Sequence, residues 1–238
     1  MAILEIRHVS KFFGGLAANS DVSFQLAEQM IMGLIGPNGA GKTTLFNCIT
    51  GYYPPSRGEI IFADRRINGL QPDKVCKLGM VRTWQKVRPL TNLSVLDNVI
   101  VGALCRTNSV KRARDIALEQ LQLVRLEHKA TLTAGALPIG ERKKLEVARV
   151  LATNPKLLLL DEVMGGLNSV ESEEIIQLIL DIRSKGITQM VIEHDMKAIM
   201  RLSDRIVVLN SGEKLAEGSP QEIADNPQVI EAYLGAQP

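Results

Sequence analysis

Gly36-Pro37-Asn38-Gly39-Ala40-Gly41-Lys42-Thr43-Thr44 decides how the rest of the chain is read. It fits the pattern GxxxxGK(S/T). It follows a stretch with strand character, Met30–Ile35, and it opens a segment with helix character, Lys42–Ile49. A phosphate-binding loop needs that context. Glycines let several backbone N–H groups turn inward on an anion without Cβ clashes. The helix start beneath adds partial positive charge. In such a loop Lys42 is expected to reach the β- and γ-phosphates of a nucleotide, and the Thr43 hydroxyl to ligate Mg²⁺. A glycine turn that merely packs is the alternative; strand, loop, lysine and helix in this order argue against it.

Further along, Leu157-Leu158-Leu159-Leu160-Asp161-Glu162 places two carboxylates after an aliphatic run. A buried strand would deliver both to its C-terminal end, where ligands sit in open α/β sheets. Asp161 is then expected to hold Mg²⁺ through water, and Glu162 to polarise the attacking water as general base. A single acidic residue at this place would be a helix cap or a solvated charge. Two of them, downstream of a phosphate loop, point to chemistry.

The flanking segments supply the fold class. Leu4–Val9, Val22–Leu26 and Met30–Ile35 have strand character, with Gly58–Ala63 and Gly79–Thr83 after them, and Pro72–Leu78 is a short helix. From Ser94, which with Asp97 resembles an N-terminal cap, the pattern is helical; Arg112–Leu126 and Arg142–Ala152 continue it. Asn154-Pro155 ends the last of these. Lys156–Asp161, Thr188–Glu193 and Arg205–Leu209 then alternate as strands with helices Ser169–Lys185 and Met196–Leu202. Asn168 and Glu171 are placed to cap the first helix and Gly186 to stop it. Lys214–Glu217 reads as an edge strand, and Ser219-Pro220-Gln221-Glu222 as a helix start. Alternation of this kind predicts an α/β fold with a mostly parallel central sheet covered by helices. The segment from about Pro89 to Ala136 is nearly all helical and is expected to be an inserted lobe.

Bulk properties narrow the partners. A net charge of +2 on 238 residues gives no case for nucleic acid binding. Cys48, Cys76 and Cys105 form no CxxC or His/Cys cluster, so neither a zinc site nor a disulfide framework is indicated, and reduced thiols are expected. The start, MAILEIRHVS, lacks the pattern of a leader, and no stretch approaches the roughly 18 apolar residues of a membrane span. Any service to a membrane is expected to run through a partner.

Leu137-Pro138-Ile139-Gly140-Glu141, ahead of Arg142–Leu151, resembles the signature motif of ABC ATPases and the helix behind it. The resemblance covers essentially the whole chain in family order. Gln85, in Arg82-Thr83-Trp84-Gln85, is similar to the family's Q-loop glutamine, which links Mg²⁺ and water to the transport domain. Gly165-Gly166-Leu167-Asn168 sits where the family has its D-loop, with Asn168 for the commoner aspartate. His194, ending the strand before Asp195, resembles the switch histidine at the γ-phosphate. Phe13, before Gly14-Gly15, sits where the family stacks an aromatic on adenine; of the adjacent pair Phe12 and Phe13, one is expected to pack inside. Pro138 replaces the family's signature serine and has neither hydroxyl nor N–H to offer a phosphate.

The resemblance implies a P-loop NTPase fold of ABC type: one cassette over 1–238, with a catalytic lobe (1–88 and 155–238) that opens on an antiparallel β subdomain, and a helical lobe (about 89–154). It implies ATP and Mg²⁺ as ligands, with metal contacts from Thr43, Gln85 and Asp161, and catalysis by Lys42, Gln85, Glu162 and His194. Nucleotide contacts would come from Phe13, from Gly36 through Thr44 (Gly36, Pro37, Asn38, Gly39, Ala40, Gly41, Lys42, Thr43, Thr44), and from Leu137, Pro138, Ile139, Gly140, Glu141 and Asn168. The latter group acts on the nucleotide of an opposing subunit in a head-to-tail dimer. Gly79–Gln85, Leu137–Gly140, Glu162–Asn168 and Val229–Gly235 further resemble ATPases of branched-chain amino acid importers, which also lack the signature serine. That implies permease subunits docking near Trp84–Val87, a solute-binding protein as an indirect partner, and a peripheral place on the cytoplasmic face of the plasma (inner) membrane. Rival readings are a soluble ABC-type ATPase not linked to transport, a P-loop kinase or GTPase, and a non-hydrolysing subunit. The first usually carries a coiled-coil insertion or two cassettes, and the second lacks the signature and the switch histidine.

Overall fold

The computed structural model describes residues 1–84 and 89–234. Strand β1 (Ala2–Phe13) turns at Gly14-Gly15 into β2 (Leu16–Ala27), and β3 (Ile31–Ile35) leads into the glycine loop and helix α1 (Lys42–Ile49). Next come β4 (Arg57–Phe62), β5 (Arg65–Arg66), α2 (Pro72–Leu78) and β6 (Met80–Arg82). Helices α3 (Val95–Ala103), α4 (Val110–Leu123) and α5 (Ile139–Leu151) follow. Then β7 (Leu157–Asp161), α6 (Ser169–Ser184), β8 (Thr188–Ile192), α7 (Met196–Leu202), β9 (Arg205–Asn210), β10 (Glu213–Gly218), α8 (Pro220–Ala224) and α9 (Pro227–Leu234) complete the order.

Two sheets result. One is antiparallel, in the order β2-β1-β4-β5; the other runs β10-β9-β3-β8-β7-β6 and is parallel except where β10 pairs with β9. Every residue of β3, β7 and β8 is buried, as expected of strands covered on both faces. The leucine run splits by face. Leu158 and Leu160 join the core shared with α3, α4 and α5, while Leu157 and Leu159 join the core shared with the antiparallel sheet. Four consecutive leucines are thus one strand serving two cores, and truncating one, Leu158→Ala, should cost about 2–5 kcal/mol.

Several boundaries differ from the sequence reading. β1 is twice, and β2 more than twice, the length its alternation suggests. The alternation is broken where His8 takes φ 51° and Asp21 takes φ 52°, with a register shift between Ile6 and Val9. The bulge resets which side chains face the core. Helix α4 starts earlier than expected because Ser109 Oγ accepts from Arg112 N, and it ends before Arg125, whose φ is 60°. Helix α5 begins at Ile139 rather than Arg142, on Pro138. Helix α9 was not anticipated. Neither Phe12 nor Phe13 enters the core: Phe12 is half-buried beneath Arg57, and Phe13 is exposed. Among the described residues no helix is long and apolar enough to cross a membrane.

Candidate nucleotide site

Local chemistry builds the loop after β3. Gly41 takes φ 96° as the residue capping α1, and a Cβ there would strike the Ala18 carbonyl and the Asn19 carboxamide, so only glycine fits. Asn19, fully buried on β2, donates from Nδ2 to Gly41 O at 3.3 Å. No side chain caps α1, and its first turn holds no acid. The amides that begin a helix lack intrahelical acceptors, so this end is open to an anion. Lys42, almost fully buried, donates to Gly36 O at 2.7 Å and Pro37 O at 3.0 Å. Burial pulls its ammonium below the usual lysine range, against the opposing charges of Glu162 and Asp161.

Asn38, Gly39, Ala40, Gly41, Lys42, Thr43 and Thr44 line a cleft of about 420 Å³, together with Phe13, Glu162 and His194. Three separate segments of the chain therefore converge on the loop. Glu162 directly follows β7 and holds φ 50°, a left-handed conformation rare outside glycine and costing about 1–3 kcal/mol. It is fixed there: Glu162 N donates to Ile192 O at 2.9 Å, and Lys143 Nζ donates to Glu162 O at 3.2 Å and to Gly165 O at 2.5 Å. His194 Nε2 lies 2.9 Å from Glu162 Oε1. Phe13 stands edge-on to Tyr53, with ring centroids 5.3 Å apart and Lys11 Nζ 5.0 Å from the Phe13 ring.

Asp161 ends β7 in the interior. Its Oδ2 accepts from Arg82 Nη2 at 2.6 Å, and its Oδ1 is buried without a hydrogen-bond partner among the described residues. Burial pushes its carboxyl above the ordinary aspartate value, and Arg82 pulls it back down. An orphaned carboxylate oxygen beside a phosphate loop fits a hard cation or its bound water. Behind it, Glu193 accepts from Met164 N at 2.8 Å, and burial raises its carboxyl to about 7.

The remaining expected contacts lie elsewhere. None of Leu137, Pro138, Ile139, Gly140 and Glu141 lines the cleft. Leu137 turns its side chain into the core, so it has no apolar face to offer a ligand. Ile139 is exposed, and Glu141 is tied to Lys129 at 2.5 Å. Asn168 caps α6: its Oδ1 accepts from Glu171 N at 2.9 Å, and Glu171 Oε2 accepts from Asn168 N in return. Gln85, Lys86 and Val87 lie outside the described residues. Trp84, nearly half exposed, lines a mostly apolar groove of about 310 Å³ with Tyr52, Met80, Val81 and Val101.

Sequence reasoning missed Arg82, Asn47, Asn19, Lys143 and Glu146. Each acts across the fold: Arg82 bonds Asp161 across 79 positions, and Trp84 N donates to Glu146 Oε1 across 62. Only the place of Arg82 in the segment Gly79–Gln85 drew any attention to it.

The geometry defines a mononucleotide cleft of the P-loop type, and the comparisons with known proteins agree. Residues 19–165 match the family described as ABC transporter, and residues 213–237 match the family described as branched-chain amino acid ATP-binding cassette transporter. The chain belongs to the ABC transporter family, as one of its ATP-binding cassettes. Among its relatives, the high-affinity branched-chain amino acid transport ATP-binding protein LivG of Escherichia coli (strain K12) is 41% identical over 249 aligned positions, covering 98% of both chains. A solved ATP-binding cassette of an ABC transporter in its ADP conformation superposes with TM-score 0.90 at 31% identity, over 99% of each chain. A dimeric cassette in a post-hydrolysis state, bound to ADP and Pi, superposes with TM-score 0.82 at 27% identity, over 91% of this chain and 98% of that one.

Proposed function

We propose that this chain binds and hydrolyses ATP to drive a membrane importer of branched-chain amino acids or related small solutes. The observation that carries the chemistry is the convergence of the open α1 end, Glu162 and His194 on one cleft. The identity to branched-chain amino acid transport proteins along the whole chain supports the solute class and favours transport over a soluble ATPase.

In this reading the phosphates take the loop amides and draw Lys42 Nζ from the Gly36 and Pro37 carbonyls it now holds. Phe13 stacks on the base. Thr43, Asp161 through Oδ1, and Gln85 would hold Mg²⁺, which when bound would supply positive charge against the phosphate oxygens. Glu162 orients the attacking water, and its hydrogen bond to His194 keeps the carboxylate aimed at the end of the cleft. Phosphoryl transfer asks for placement and charge more than for covalent chemistry, and the strained backbone at Glu162 is a placement device.

The second half of the site comes from another cassette. Pro138 through Glu141 lie at the open end of α5, outside this cleft, and the head-to-tail arrangement brings a partner's equivalent onto the γ-phosphate. Division into a catalytic lobe (1–88 and 155–238) and a helical lobe (about 89–154) lets the two halves close on ATP. The Trp84 groove receives the permease, a solute-binding protein acts through that permease, and the chain sits peripherally on the cytoplasmic face of the inner membrane.

Glu162→Gln tests the assignment. Nucleotide binding should persist while turnover in the assembled transporter falls by about a hundredfold or more. Unchanged steady-state turnover would remove Glu162 from the mechanism.

A further inference from the structure

Asp161 is held on one side only. Arg82 Nη2 reaches Oδ2 at 2.6 Å, and both side chains are almost wholly buried. Oδ1 has no partner among the described residues. The same guanidinium donates from Nη1 to Asn47 Oδ1 on α1 at 2.5 Å and from Nε to Thr83 O at 3.2 Å. Its Cζ also lies over the Trp84 ring, 4.4 Å from the centroid. One rigid cation therefore touches the carboxylate, the phosphate-loop helix and the aromatic wall of the groove.

A cation present only to balance a buried acid would be expected to satisfy both carboxylate oxygens and to stay clear of the surface. Arg82 does otherwise: it leaves Oδ1 without a partner among the described residues and, though buried itself, lies against a ring that is nearly half exposed. Anchored on three acceptors, the fork allows Asp161 one orientation. The same guanidinium thus links that carboxylate to the Trp84 ring.

We propose that Arg82 is a positioning residue. It pins Oδ2 of Asp161 so that Oδ1 remains the ligand atom for Mg²⁺, and it transmits the state of that carboxylate to Trp84 in the groove. This rests on the Mg·ATP function assigned to the cleft above. Without the fork, Oδ2 loses the donor that fixes it, and the carboxylate can rotate so that Oδ1 no longer presents itself as a ligand. Loss of Arg82 therefore weakens Mg²⁺ binding, although it removes a positive charge.

Trp84 is the chain's one tryptophan, so its emission can be read in the unlabelled protein. The test uses full-length Glu162→Gln protein saturated with ATP, titrated with Mg²⁺ while Trp84 emission and retention of radiolabelled ATP are followed. Emission should change on adding Mg²⁺ beyond the change ATP alone produces, and the Mg²⁺ step should vanish in Asp161→Asn. In Arg82→Met, ATP binding without Mg²⁺ should stay within about twofold of the parent, while the Mg²⁺ needed for half-maximal retention rises about tenfold to a hundredfold. Arg82→Lys should fall between. Should Arg82→Met fail to fold, Asn47→Ala, which removes one of the three anchors, decides by the same readout: a rise supports the proposal and the parent's value overturns it. If the parent retains no ATP, or Mg²⁺ adds nothing to retention, the nucleotide reading itself fails. If retention is Mg²⁺-dependent but Trp84 stays silent and the Arg82 variants keep the parent's Mg²⁺ requirement, the role of Arg82 alone is refuted.

Discussion

Helices α1, α2 and α5 begin without a side-chain cap; α2 opens on Pro72 with Asp73 in its first turn, and α1 and α5 begin differently from each other. α1 starts on Gly41 at φ 96°, with Lys42 folded back over the loop and no acid in its first turn. α5 starts on Pro138 at φ −64°, with Ile139 exposed and Glu141 in the first turn neutralised by Lys129. Helices α3, α4, α6, α7 and α8 are closed by Ser94, Ser109, Asn168, Asp195 and Ser219, which accept from their first-turn amides. Leaving a cap off costs about 1 kcal/mol. In α1 the open end lines the cleft that holds Glu162 and His194; in α5 it does not line that cleft. The contrast teaches that one open end is built into a cleft with Glu162 and His194 and the other is not, which under the proposed function leaves the second to act on a partner's nucleotide.

The sharpest way to break the comparison is at α1. Lys42→Ala should weaken ATP binding or turnover by at least about a hundredfold, measured by equilibrium dialysis and phosphate release. Wild-type affinity together with wild-type activity would sink the phosphate-loop assignment.

The next effect sits where the two regions meet. Lys143 on α5 reaches the loop after β7, and Glu193 packs behind that loop with its carboxyl raised to about 7 by burial. An acid whose folded-state value is raised binds its proton more tightly in the native state. Its contribution is intact below the unfolded value near 4.5 and is lost as pH rises through about 7. Glu193→Gln mimics the protonated form and keeps an oxygen for Met164 N. It should therefore be more stable than the parent at pH 8, on the order of 2 kcal/mol by denaturant unfolding, with the gap closing toward pH 4.5. A gap independent of pH would refute the assignment.

At α5, Ile139→Glu places an anion at the exposed open end. ATP binding by the isolated chain should hold within about twofold, while turnover in the paired cassette falls about tenfold. Equal loss of both would mean the two helix ends belong to one site. Smallest is Asn168→Ala, which removes the cap of α6 and frees Glu171, whose carboxylate packs beside Gly140. A loss of about 1 kcal/mol by thermal unfolding is expected, and no change would deny the capping box its weight.

Local chemistry was legible and distant chemistry was not. The loop Gly36–Thr44, helix α1, helices α2 and α7 with the bounds read from sequence, and the caps at Ser94, Asn168 and Ser219 all follow from residues within one or two turns of each other. The strand–helix alternation after Lys156 is equally local, and it yielded the parallel sheet. Arg82 on Asp161 could not be read, because partners 79 positions apart share no period or motif. The start of α5 was hidden because Pro138 and Gly140 suggest a loop, although proline suits a helix entrance. The length of β1 was hidden by the bulge at His8, and the place of Phe12 outside the core by its apolar type, since an aromatic is read as core until its surroundings say otherwise.

Whether the two open helix ends share one nucleotide is tested most directly by the mass of the ATP-loaded complex. Glu162→Gln protein, alone and with its co-purifying cassette partner, is measured by light scattering with bound ATP counted in the same sample. The account predicts a particle of two cassettes holding two ATP molecules, which falls apart when ATP is withdrawn or when Ile139→Glu is introduced. Full occupancy by ATP on cassettes that remain single under every condition would contradict it.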